Sequence, residues 1–333
     1  MLAARLNVKA LTLSMDDVPI PEPGPGQVRI KVHAAGVCLS DVHLIDGSVR
    51  PLHLPTDTVT LGHEIAGIID AIGPGVVTYP AGQRVVLQAG EKRNGVLYAL
   101  GVDYDGGWAE YTLATAATLV PIPDGLPFEQ AAIIPDAVST SWAAITATAQ
   151  VRPAEAAGVW GVGGLGAHAV MLLRLAGAAP IIAVDPLPAA RKRALDFGAD
   201  IALDSADPEL ARKVRRETGD LGLAAAFDFA GVPAVQEQAV GCLGASGRLV
   251  LVGINDKPLT ISDSRTFGYL QQQVRGHYGS APEHVTELVM LAGRGRISLA
   301  RSVSDILPLS EAPKAVERLR HKEGNPIRLV LQP

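Results

Sequence analysis

The chain is short of cysteine. Cys38 and Cys242 are the only two in 333 residues, so no disulfide framework can hold the fold, and such usage suits a reducing cytosol. It also lacks any long basic run. The nearest is Arg191-Lys192-Arg193, which reads as the solvated face of a helix; with a net charge of −5, nucleic acid is not an expected partner. No apolar segment follows Met1-Leu2-Ala3-Ala4-Arg5-Leu6, so no secretory signal is expected. One uncharged stretch, Ala156 to Leu173, approaches membrane-spanning length. Five glycines between Gly158 and Gly166 break it into strand, turn and helix start, so no membrane partner is expected either. Internal repeats and low-complexity segments are absent as well. What remains is a composition of 48% hydrophobic and 19% charged residues, in a chain too long for one core and suited to two domains.

The first part of the chain is β-like and rich in turns. Pro19, Pro21, Pro23, Gly24, Pro25 and Gly26 punctuate it, and Val28–Val32, Ile65–Ile72 and Arg84–Leu87 read as strands. From Val138 the texture changes. Short apolar runs at Ala157–Trp160, Ile181–Val184, Ala224–Phe229 and Arg248–Val252 alternate with helical stretches, a rhythm that implies a parallel sheet covered by helices. A helix at His284–Ala292 and a last strand at Ile327–Leu331 follow. The expected domains are 139–277 for the α/β part, and 1–138 with 278–333 for the β-rich part.

Gly161-Val162-Gly163-Gly164-Leu165-Gly166 has the spacing G-x-G-x-x-G. An apolar strand precedes it, a helix-compatible run from Ala167 follows, and the next strand ends in Asp185. In that context the glycines allow a tight turn, close approach to pyrophosphate and close helix–strand packing, while the helix N-terminus offers unpaired N–H groups to the phosphates. Asp185 is expected to accept hydrogen bonds from ribose hydroxyls and to repel a 2′-phosphate, which favours NAD over NADP.

Two clusters lie upstream: Cys38-Leu39-Ser40-Asp41-Val42-His43 and Gly62-His63-Glu64. A thiolate and a neutral imidazole are good zinc ligands, and a catalytic zinc takes three protein ligands with one position open. These clusters, Pro19 to Gly26, Asp105-Gly106-Gly107-Trp108-Ala109-Glu110-Tyr111, the glycine motif and Ile327-Arg328 together resemble the zinc-containing alcohol dehydrogenases of the medium-chain dehydrogenase/reductase superfamily, nearly end to end. The resemblance implies an α/β protein with a GroES-like β-rich catalytic domain and a Rossmann doubly wound parallel-sheet nucleotide domain, assembled as a homodimer or homotetramer. It implies hydride transfer between NAD and an alcohol, or an aldehyde or ketone in reverse. A reductase of an activated C=C or C=N bond on the same fold is the alternative. Retention of Ser40 and His43 argues against that alternative, because alkene reduction has no alcohol proton to relay.

The residue roles come with the resemblance. Cys38 and His63 would be zinc ligands, and Glu64 a carboxylate able to approach the metal. Asp41 would orient His63. Ser40 would take the alcohol proton and His43 pass it on, Thr140 would touch the nicotinamide, and Arg328 the pyrophosphate. Better-known members use a second cysteine as third ligand; here the matching segment is Ile134-Pro135-Asp136-Ala137-Val138, and Asp136 is the expected ligand, with capping of the following helix as its bland alternative. Many relatives also bind a structural zinc through four cysteines after the strand matching Arg84–Leu87. Gln88 to Asp105 contains none, so one catalytic zinc and no structural zinc is expected. Ala89 stands where relatives often place a large aromatic beside the substrate, which suggests a roomier pocket unless Trp108 or a residue from another loop backfills it.

Overall fold

In the computed structural model, which describes residues 1–333, the chain divides into two compact units: Met1–Ser139 with Ser280–Pro333, and Thr140–Gly279. The first unit is organised by one long strand, Gln27–Val37. It pairs antiparallel with Ile65–Ile72, Tyr111–Thr115 and Arg328–Gln332. Its first half alternates, with Val28, Ile30 and Val32 inside, and from Ala34 onward every residue is buried. The strand therefore begins on a half-solvated face and ends in the core, among Leu61, Ile65, Leu87 and Trp108. Leaving it, the chain turns at Cys38 into the short helix Leu39–Ile45. Strand Ile65–Ile72 starts just after His63 and Glu64, and the Gly36 N–H donates to the Glu64 carbonyl at 2.8 Å. Sheet register thus brings the two sequence clusters side by side.

Within Gln88 to Asp105 the chain forms a two-stranded hairpin, Gly90–Arg93 against Val96–Ala99. Asn94 and Gly95 both have positive φ, the conformation a two-residue hairpin turn demands. Asp103 ties this lobe down. One of its oxygens accepts from the Leu52 and His53 N–H groups at 3.0 and 2.9 Å, the other from Ala99 N–H at 2.9 Å. The Arg93 guanidinium lies over the rings of Tyr98 and Tyr104, and His53 packs on Tyr98.

The second unit holds a six-stranded parallel sheet. Its spatial order is Ile201–Leu203, Ile181–Val184, Ala157–Trp160, Leu223–Asp228, Leu243–Leu251, Gln273–Gly276. The order reverses at Ala157–Trp160, so right-handed crossovers place the connecting helices on opposite faces: this is the doubly wound dinucleotide topology. Three runs of unbroken burial, Ala157–Trp160, Ile181–Val184 and Ala225–Asp228, are what a sheet covered on both faces requires. The strand expected at Arg248–Val252 starts earlier, at Leu243. Its first half is irregular, with Ser246 at a φ of 56° and a register shift against the neighbouring strand, so the sequence there carries no clean strand pattern. No helix is long and apolar enough to cross a membrane.

Candidate active site

In the first unit three elements converge. Cys38 is the N-cap of Leu39–Ile45, and its N–H donates to Asp41 Oδ2 at 2.8 Å, so the carboxylate three residues on fixes the loop carrying the thiol. His63 follows the left-handed Gly62 and is buried. Asp136 comes from a π-helical turn, Ile134–Val138, inside a helical run from Phe128 to Ala149. Such wide turns are rare and concentrate at functional sites. Here the turn holds Pro135, which has no N–H, and it sends the Ala137 N–H out of the helix to Glu64 Oε1 at 3.0 Å. Because Asp136 sits inside this run, behind Phe128–Ala132, it is not the residue that caps a helix start.

The Cys38 Sγ is 3.4 Å from Asp136 Oδ2, and His63 Nε2 is 3.5 Å from the same oxygen. All three donor atoms lie within 4.8 Å of one another. Ligands at ordinary zinc distances around a tetrahedron stand about 3.4–3.6 Å apart. The thiol and the imidazole therefore each stand at zinc spacing from the carboxylate oxygen, and thiolate plus carboxylate balance the ion's two positive charges. The donor set fits zinc.

The surroundings support these donors. Asp41, almost fully buried, places Oδ1 3.3 Å from His63 Nδ1, on the side of the ring away from Asp136. Ser40 Oγ lies 3.5 Å from His63 Nε2, so it borders the same pocket. His43 lies on the next turn of the helix, partly exposed, with Asp46 at 3.9 Å. Burial pushes the His63 imidazole down, but Asp41, Asp136 and Cys38 outweigh it and hold it well above its ordinary value. Glu64 is fully buried, and burial pushes its carboxyl up to about 8 against the pull of Arg328. Glu64 Oε1 takes the Ala137 N–H and the Arg328 guanidinium, at 3.1 Å; it stands behind the donor set and is not one of the clustered ligands.

Arg328 was expected at a pyrophosphate. The structure gives its guanidinium another occupation: ion-paired with Glu64, 3.9 Å from Asp136, and donating to the Val37 carbonyl at 3.2 Å. Sequence offers no sign of this pairing, which depends on the last strand lying beside Gln27–Val37. Trp108 does not backfill a substrate pocket. It is fully buried core, its indole N–H donating to the Gly36 carbonyl at 3.0 Å.

The second unit carries the glycine turn between Ala157–Trp160 and the helix Gly164–Ala176. Gly161 has a φ of 86°, and a side chain at Gly166 would collide with the Gly161 carbonyl at 1.8 Å. Gly163 caps the helix, with open space where a side chain would stand; Gly164 and Leu165 begin the helix, leaving first-turn N–H groups to face an anion. Asp185, at the end of the neighbouring strand, accepts from Val162 N–H at 2.8 Å and Leu187 N–H at 2.9 Å, so its carboxylate is fixed beside the turn. Arg191 donates to the Asp185 and Pro186 carbonyls and pairs with Asp204 at 3.0 Å. Thr140 opens the unit, its carbonyl accepting from His277 Nε2 at 3.0 Å.

Residues 24–124 match the alcohol dehydrogenase GroES-like domain, and residues 164–293 the zinc-binding dehydrogenase domain. The chain is 30% identical to the NDMA-dependent alcohol dehydrogenase of Amycolatopsis methanolica, over 99% of this chain and 98% of that one. The chain belongs to the zinc-dependent alcohol dehydrogenases of the medium-chain dehydrogenase/reductase superfamily. It is similar over 96% of its length, at 29% identity, to the NAD-dependent alcohol dehydrogenase of Sulfurisphaera tokodaii, covering 97% of that chain. Its fold matches the crystal structure of 2R,3R-butanediol dehydrogenase from Bacillus subtilis with a TM-score of 0.92 at 27% identity, over 100% and 99% of the two chains. This dehydrogenase is an NAD-linked alcohol/carbonyl oxidoreductase with one Cys/His/Asp metal centre.

Proposed function

We propose that Cys38, His63 and Asp136 hold the catalytic zinc and that the enzyme oxidises a small alcohol, or reduces the matching aldehyde or ketone, with NAD. The observation that carries this is the convergence of Sγ and Nε2 on Oδ2 at zinc spacing, with Ser40 Oγ alongside. A zinc ion held by these residues would supply Lewis-acid polarisation of the substrate oxygen, and bound NAD would supply the hydride acceptor or donor. Ser40 accepts the alcohol proton and His43, on the exposed side of the same helix, delivers it to solvent. Asp41 holds the His63 ring by its far nitrogen. Glu64, one of whose oxygens lacks an aligned hydrogen bond, is the carboxylate that approaches the donor set on exchange of substrate.

In the second unit, the Gly161–Gly166 turn receives the pyrophosphate and Asp185 the adenosine ribose. Arg191 is already engaged by two carbonyls and Asp204, which leaves no ready cation for a 2′-phosphate and supports NAD. Thr140 contacts the nicotinamide. Arg328 is the pyrophosphate contact of this reading; its Nη2 would leave the ion pair with Glu64 to reach it, while its Nε makes no hydrogen bond. The enzyme works in the cytoplasm as a homodimer or homotetramer. One end of the nucleotide sheet, Gln273–Gly276, is an edge strand, and a second copy would cover it.

The deciding experiment is a panel of primary, secondary, cyclic and aromatic alcohols, followed by NADH formation, with zinc measured in the same preparation. About one zinc per chain with turnover of at least one class supports the reading. A zinc-free protein, or one that reduces only activated double bonds, overturns it.

A further inference from the structure

The geometry points to Trp108 as a positioning residue that registers the metal-ligand segments against each other. The inference rests on the reading of Cys38, His63 and Asp136 as the zinc site. Cys38 lies two residues beyond Gly36 and His63 one beyond Gly62, and Trp108 holds both glycines. Its indole N–H donates to the Gly36 carbonyl at 3.0 Å, and its backbone N–H to the Leu61 carbonyl at 2.8 Å. The pyrrole side of the indole closes on Gly62: a side chain there would lie 2.2 Å from Trp108 Cδ1, and Gly62 has a φ of 95° that other residues rarely adopt. From the other direction the Gly36 N–H donates to the Glu64 carbonyl, and the Gly107 N–H to Gly62 at 2.9 Å.

The Cys38 and His63 segments are therefore joined twice, once by the sheet bond from Gly36 and once through a single rigid side chain. An indole is suited to this. It fills the space over Gly62 and still carries a donor at its far edge, which phenylalanine lacks and tyrosine places elsewhere. Metal–ligand distances tolerate only about 0.2 Å of error, so a small slide between these segments reaches the metal directly. Trp108 acts through the backbone that carries the donor residues.

The test compares zinc affinity in three proteins, measured by chelator competition and corrected for folded fraction. In Trp108→Phe, zinc dissociation should rise about tenfold or more, the scale seen when a partner that orients metal ligands is lost. Cobalt substituted for zinc should show a shifted thiolate-to-metal absorption band. Trp160→Phe is the control. Trp160 is equally buried, in the other unit, and donates to Gln238 at 2.9 Å, so its variant should lose stability and keep wild-type zinc affinity and cobalt spectrum. If Trp108→Phe does not fold, 3-benzothienylalanine at position 108 removes only the N–H and should give the same loss. Wild-type zinc affinity and cobalt spectrum in the position-108 variants would overturn the inference while leaving the zinc reading intact. A wild-type protein that binds no zinc would overturn the reading on which both depend.

Discussion

Two regions of the first unit lie where the resemblance implies cysteine in relatives; neither carries one here, and the two differ in what stands there. At Asp136 an anionic oxygen replaces an anionic sulfur, and three donors still converge. The lobe from Gln88 to Asp105 contains no cysteine. A hairpin, the Asp103 carboxylate and an Arg93–tyrosine stack hold the lobe instead. A crosslink that only supports a loop can be exchanged for hydrogen bonds and packing, because any set of contacts of similar strength serves. A Lewis-acid site admits only exchanges that preserve charge, donor count and spacing.

The sharpest way to break that contrast is at Asp136. Asp136→Ala should lose zinc and nearly all activity together, and Asp136→Cys should keep part of the zinc; elemental analysis beside turnover reads both. Zinc retained in the alanine variant would mean that the carboxylate is dispensable and the two regions alike. Next comes the proton path. Ser40→Ala should keep its zinc and lose alcohol oxidation by about 10²-fold or more, the usual worth of a positioned proton acceptor. An undiminished rate would put the proton elsewhere.

The lobe should behave differently. Asp103→Asn keeps one acceptor oxygen where two are used, so either the Ala99 N–H or the Leu52 and His53 pair faces an amide NH2 instead, and about 1–3 kcal/mol of local stability should go. Faster hydrogen exchange across residues 90–105, with zinc stoichiometry unchanged at about one per chain, is the expected result. A second tightly held zinc in the wild type would show that the lobe has kept a metal after all.

Sequence legibility divides along similar lines. Ala157–Trp160 and Ile181–Val184 could be read to the residue because a parallel strand buried on both faces is an unbroken apolar run. The donor residues were legible as types in a known order. What sequence could not convey was the π-turn at Ile134–Val138 that aims Asp136, or the burial of Arg328 against Glu64, since both depend on contacts between segments far apart in the chain. Trp108 was misjudged as a possible substrate neighbour for the same reason: a tryptophan's patterning does not say which of two interiors it enters. The lack of cysteine in the lobe was plain, while the three N–H groups gathered by Asp103 were not.

Smaller effects extend the comparison to the second unit. NAD should exceed NADP in kcat/KM by roughly tenfold or more, and Asp185→Ser should narrow the gap, since each tenfold step is about 1.4 kcal/mol, the size of one repulsive contact. A wild type preferring NADP would remove Asp185 from the site. Smallest is the ion pair of Glu155 with Arg248. Burial pushes the Glu155 carboxyl up, but Arg248 and the Arg152 N–H outweigh it and hold it below its ordinary value. Its stabilisation is therefore present above the ordinary carboxyl range and disappears as pH falls through the lowered one. Glu155→Gln should unfold slightly earlier than wild type at pH 7, by about 1 kcal/mol or less, with the two curves merging towards pH 3.

The strand Arg328–Gln332 lies beside Gln27–Val37, and its first residue brings the guanidinium that Glu64 faces. In the order of synthesis, all of Thr140–Gly279 separates those partners. Domains fold as they emerge from the ribosome, amino-terminal parts first, so the nucleotide unit can be finished while the pocket still lacks its buried cation. During that interval the Glu64 and Asp136 carboxylates share the pocket without it. A nascent chain arrested before Arg328 thus holds the three donor residues without the buried cation that Glu64 faces.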